Sequence, residues 1–131
     1  MPVARCLLAT ALASACFVAQ AEQPALTRIT AASGLPLAPE QASVTFERAE
    51  LSFKVDPARK WLDGDARLTF RAAAPLERLV VDLDRNYAVE RVEVDGKPVD
   101  AAHWRNPEGR MTVELAAPLA AGGRTTLRIR Y

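Results

Sequence analysis

The sequence predicts an all-β fold of antiparallel strands in two packed sheets, behind a removable leader. Two observations carry this: apolar and polar residues alternate with period two in short segments, and the segments are separated by Gly, Pro, Asn and Asp turn signals. Alternation of this kind belongs to strands with one face buried and one face wet, as in antiparallel sheets. After the leader, no helix of three turns is visible.

The leader comes first. Met1 to Arg5 is a short segment with one positive charge, Cys6 to Val18 is apolar, and Ala19-Gln20-Ala21 supplies small residues for signal peptidase. At roughly 13 residues against the ~20 needed to cross a bilayer, the apolar run is a signal peptide, not a membrane span. Residues 1–21 are therefore expected to be removed after Ala21, with export to a periplasm or beyond. Ala13-Ser14-Ala15-Cys16 loosely resembles a lipobox, but Ala13 stands where leucine is expected and Phe17-Val18 continue the apolar run, which argues against lipidation at Cys16. Residues 22–42, with Pro24, Pro36 and Pro39, read as an extended, flexible Ala/Pro-rich leader, and residues 43–131 as the β-domain.

Within the domain, Leu51, Phe53 and Val55 alternate with Ser52 and Lys54, and Asp56-Pro57 ends that strand. Ala66, Leu68 and Phe70 alternate with Arg67, Thr69 and Arg71; Gly64, inside the same pattern, reads as a bulge. Pro75 to Leu79 is compatible with a helical turn, but Val80-Val81 draws it toward strand, with Asp82 and Asp84 on the face opposite Leu79, Val81 and Leu83. Val92 and Val94 lead into Asp95-Gly96, a two-residue hairpin signal. Met111, Val113 and Leu115 follow the Asn106-Pro107-Glu108-Gly109 loop, and Gly122-Gly123 turns the chain into Leu127, Ile129 and Tyr131.

The composition excludes several functions. Both cysteines, Cys6 and Cys16, lie in the leader, so the processed chain has neither thiol nor disulfide. Of 17 Lys and Arg residues only Arg5 leaves with it, against 16 acidic residues, so the remaining charge is balanced. With no clustered basic run, there is no electrostatic reason to expect nucleic acid or anionic lipid as a partner.

The chain also lacks the residues of a catalytic site. A zinc site needs three or four ligands, and His103, beside Trp104 in "HWRNPEGR", is the single histidine. Ser33, Ser43 and Ser52 stand in leader or strand context without a nucleophile elbow. Asp63-Gly64-Asp65 lacks the further acids of a calcium loop and reads as a turn or bulge with solvated carboxylates. Asp82 and Asp84, two apart on one strand face, have a spacing compatible with paired glycosidase carboxylates and equally with the wet face of an edge strand. Trp61 and Trp104 are candidates either for a sugar or peptide platform or for core and sheet-edge packing. No catalytic, cofactor-binding or metal-binding residue is assigned.

The order of these elements resembles the N-terminal β-domain of M1-family zinc aminopeptidases. "AELSFKVDPARKWLDGDARLTFRAAAPLERLVVDLD" is similar to that domain's opening: a strand ending in Val-Asp-Pro, a strand with a glycine before alternating apolar residues, then a strand rich in Leu and Asp. "VERVEVDGKPV" and "MTVELAAPLAAGGRTTLRIRY" resemble the next hairpin and the two strands after it. The resemblance implies a saddle-like antiparallel domain ahead of a thermolysin-like catalytic domain. That catalytic domain would hold zinc through His-Glu-x-x-His and a later Glu, and would grip peptide amino termini with Gly-x-Met-Glu-Asn. Neither motif occurs in this chain, so the zinc, the catalytic partner domain and the peptide substrates are implied for a parent enzyme only. A freestanding periplasmic β-sandwich that binds a peptide, glycan or envelope partner is the alternative. Because "TTLRIRY" reads as a strand cut off within its pattern, unpaired edges and an uncovered apolar face are expected, with marginal solubility.

Overall fold

A computed structural model describes residues 37–131. The signal peptide, the cleavage at Ala21, Cys16, Ser33 and most of the Ala/Pro-rich leader lie outside the described residues. Eight strands follow in chain order: β1 (Val44–Asp56), β2 (Trp61–Ala72), β3 (Leu76–Asp82), β4 (Arg91–Val94), β5 (Lys97–Pro98), β6 (Trp104–Arg105), β7 (Arg110–Leu119) and β8 (Arg124–Arg130). All pairings are antiparallel and form two sheets, a five-stranded one ordered β1-β2-β8-β4-β5 and a three-stranded one ordered β3-β7-β6. A helical turn, Pro39–Ala42, precedes β1, with Gln41 accepting a hydrogen bond from the Ala38 amide (2.9 Å). Glu40 and Gln41 tie this turn to β3 through Arg78 (2.6 Å) and Asp82 (3.2 Å).

The period-two pattern builds the core directly. Phe70 of β2, Leu79 of β3, Val92 of β4, Met111 and Val113 of β7, and Leu127 and Ile129 of β8 form one buried cluster between the two sheets. The stretch after Pro75 resolves as strand from Leu76, and a register shift between Leu76 and Arg78 lets Leu76 and Leu79 both be buried. Asp95-Gly96 forms the expected tight hairpin, with φ of 51° and 77°, so that Val94 pairs with Lys97. Two positive φ values in succession are the signature of a type I′ turn, which glycine accommodates without steric cost.

Gly64 departs from expectation. It is not bulged but pairs regularly with Phe53, and its backbone bonds to that of Tyr131 (Tyr131 N to Gly64 O, 2.9 Å). A Cβ at this position would run into the Tyr131 ring. The glycine therefore admits an aromatic ring over the strand, the other reason a strand interior carries one. The irregularity of this hairpin lies instead between Phe46 and Arg48. There the extra residue, Glu47, switches the parity of β1, so that Val44 and Phe46 before it, and Ala49, Leu51, Phe53 and Val55 after it, all share the face of Leu68 and Phe70.

The last strand is no edge. β8 is hydrogen-bonded on one side to β2 and on the other to β4. The open edges of the larger sheet are β1 and the two-residue β5. The expected uncovered apolar face does exist, but on β1: Leu51, Phe53 and Val55 are 55%, 50% and 62% exposed. The smaller sheet, of three strands, leaves this part of the larger sheet bare.

Candidate functional site

The residues singled out from the sequence do not converge. His103 ends a 3-10 turn, Ala101–His103, in which the Asp100 carboxylate accepts a hydrogen bond from the Ala102 amide (2.9 Å). Its Nδ1 lies 2.9 Å from a Glu114 carboxylate oxygen on β7, and both side chains are exposed. They flank a shallow cleft of about 720 Å³ between the β4–β5 hairpin and β7, lined also by Val94, Val99 and Leu115. Hydrogen bonding to Glu114 raises the His103 pKa above its usual 6.5, and the same bond lowers that of Glu114. The sign follows from linkage: the histidine's contribution to stability is complete below pH 6.5 and is lost as pH rises through the raised folded value. NMR titration is expected to place His103 above 6.5, and Glu114→Gln to bring it back toward that value.

Asp63 and Asp65 are committed to different partners. Asp63 accepts a hydrogen bond from the Trp61 indole (2.6 Å), whereas Asp65 takes two from the Arg128 guanidinium (2.9 and 2.6 Å). Arg128 also reaches Glu93 (3.4 Å), a nearly buried carboxylate that pairs with Arg91 (2.6 Å). The Arg128 guanidinium holds the Asp65 carboxyl below the usual carboxylate range, and the Asp65 carboxylate in turn pushes Arg128 up. This network is one rung of a ladder of opposite charges across the wet face of the larger sheet, with Glu50–Arg67 and Glu47 bridging Arg71 and Arg124. Each carboxylate here has a structural partner, which is the cross-strand pairing that stabilises a sheet face.

Asp82 and Asp84 are no carboxylate pair either. Asp82 closes β3 beside Arg110 and Gln41, while Asp84, beyond the strand, accepts from the Asn86 amide (2.8 Å) and shapes the following turn. Ser43 donates to the Pro39 carbonyl (2.7 Å), and Ser52 lies on the wet face of β1 opposite Asp65. The two tryptophans are separated: Trp104 is half-buried against the core, whereas Trp61 is 50% exposed. Among the described residues, no three His, Cys, Asp or Glu side chains come together to hold a metal ion. The described residues therefore do not fit a zinc site.

What stands out is a surface. Leu51, Phe53 and Val55 form an exposed apolar strip along β1, whereas Trp61, opposite Asp56 in the register, belongs to the other face. At the same end of the sheet, the Tyr131 ring lies over Gly64 and against Tyr87, with ring centroids 4.9 Å apart. Alternation alone marks these β1 residues as a core face; the missing cover over them has no local signal in the sequence.

Known structures share this architecture. An M1 zinc metallopeptidase from Deinococcus radiodurans, and a mutant form of it bound to a Tyr-Ser-Ala substrate, each match with a TM-score of 0.61 and 29% identity over 70% of this chain. A two-domain M1 zinc metallopeptidase mutant bound to L-arginine matches equally well. The chain carries the M1 amino-terminal β-domain fold. It spans 21% of the length of each of those metallopeptidases. No family model matches this chain, and none of the curated proteins matches it. Among its described residues, no helix is long and apolar enough to cross a membrane.

Proposed function

We propose that this chain is the non-catalytic front domain of an exported M1-type zinc aminopeptidase, a scaffold that helps wall the cleft in which a following domain removes amino-terminal residues from peptides. The observation that carries this reading is the match of 70% of the chain to only 21% of metallopeptidases of the M1 type. The acids that the sequence offers as candidates support a scaffold role, since Asp63, Asp65, Asp82 and Asp84 are each tied to a structural partner. Zinc, which in such an enzyme activates the attacking water, would be held by residues outside this chain. Export rests on the apolar leader that ends in Ala19-Gln20-Ala21.

The test is to read the gene past the codon for Tyr131. The frame is expected to continue and to encode His-Glu-x-x-His with a later Glu. The product of the whole frame is expected to release amino-terminal residues from peptides, to lose that activity to a chelator and to regain it with zinc. A stop codon directly after Tyr131, or a long frame without those ligands, would sink the proposal and favour a freestanding binding module.

A further inference from the structure

The edge strand β1 is self-complementary, and we propose that it pairs antiparallel with β1 of a second copy of this chain about a two-fold axis at Ser52. This inference does not depend on the proposed parent activity.

The usable edge runs from Arg48 to Asp56, bounded by the bulge on one side and by Pro57 on the other. No proline or register shift interrupts the strand between those limits. Such an edge offers a row of free amide and carbonyl groups to another strand. The side chains then select the register. On the wet face stand Arg48, Glu50, Ser52, Lys54 and Asp56. With Ser52 opposite Ser52, Arg48 meets Asp56 and Glu50 meets Lys54, each twice by symmetry.

No neighbouring register does this. Centred on Leu51, Arg48 would oppose Lys54; centred on Phe53, Glu50 would oppose Asp56. Centres at Glu50 or Lys54 set like charges directly against each other. Offsets by a single residue place apolar side chains against charged ones. On the apolar face the Ser52 register brings Leu51 against Phe53 and Ala49 against Val55, so the exposed strip gains lateral apolar neighbours. Lys54, moreover, has no ion-pair partner among the described residues, while Glu50 and Asp56 hold only exposed intrachain pairs, with Arg48 and Arg67 and with Arg59.

A nine-residue edge makes a modest interface, so a concentration-dependent dimer is expected from the processed chain beginning at Glu22. Sedimentation velocity reads it directly. Glu50→Lys and Lys54→Glu each set like charges opposite in the homodimer, and each is expected to sediment as a monomer. Mixed in equal amounts, the two variants restore both opposite pairs and are expected to recover the dimer. A wild-type chain that remains monomeric at every concentration would overturn the proposal. So would a mixture that stays monomeric, single variants that still dimerise, or association that runs on past the dimer. Circular dichroism of each variant separates lost pairing from lost folding, and the double variant Glu50→Lys/Lys54→Glu, expected to dimerise, repeats the test within one chain.

Discussion

Leu127→Ala is expected to be among the most damaging single truncations in this domain, costing about 2–5 kcal/mol. The side chain is fully buried, on β8, and its register partners are Leu68 of β2 on one side and Val94 of β4 on the other. Both neighbouring strands are held by hydrogen-bond ladders, so the site has little freedom to collapse, and the cavity cost adds to the lost transfer energy. Against a total stability of about 5–15 kcal/mol for a domain of this kind, that loss is large. Urea denaturation is expected to show a lower midpoint with an unchanged slope. Leu51→Ala, measured in dilute solution, is the matching control. The residue is of the same type but 55% exposed, and its truncation should change stability by only about 0.5 kcal/mol. Equal losses at the two positions would mean that the β1 strip is covered after all.

Gly64→Val is expected to cost about 1–3 kcal/mol, by overpacking and not by backbone strain. Gly64 has no positive φ and sits in regular register with Phe53. The obstacle is the Tyr131 ring, which occupies the space a Cβ would need. To admit a side chain, that ring must leave its place and give up its contact with Tyr87. The mechanism predicts non-additivity: in a Tyr131→Ala background the same substitution should cost much less, because the space it needs is already empty. If the penalty persists undiminished in that background, the ring is not the reason for the glycine.

These two positions show how far the sequence can be read. Alternation is a local property, so Leu127, Ile129, Met111 and Val113 are legible as core-facing from their own segments. So is the Asp95-Gly96 hairpin, whose dihedral requirement is written in two residues. Gly64 misleads because a bulge and a close ring both call for glycine, and Tyr131 lies far along the chain. The true bulge leaves a trace, a shift in apolar parity between Phe46 and Ala49, but Glu47 and Arg48 look like ordinary polar strand residues. The bare strip on β1 is illegible in principle, since it depends on how far the smaller sheet extends. The charge ladder is half legible: alternating Arg, Thr, Asp and Glu announce a wet face, but which acid meets which base depends on strand order. Among the site residues, Asp65 and Asp82 behave the same way, because their partners Arg128 and Arg110 come from distant strands, whereas Asp63 and Asp84 bond to residues two positions away.

The position of β8 bears on how the domain comes into being. The strand between β2 and β4 is, of the eight, the last to be synthesised. The β1–β2 hairpin is local and can form while the rest of the chain is still emerging, and so can the β4–β5 turn. Neither can join the other until Arg124–Arg130 arrives to be threaded between them. The larger sheet thus closes by insertion, and the closing step waits on ordering a loop that runs from β2 to β8. Until then the edges of β2 and β4 stand open, so this domain is most exposed to unwanted pairing just before β8 is delivered.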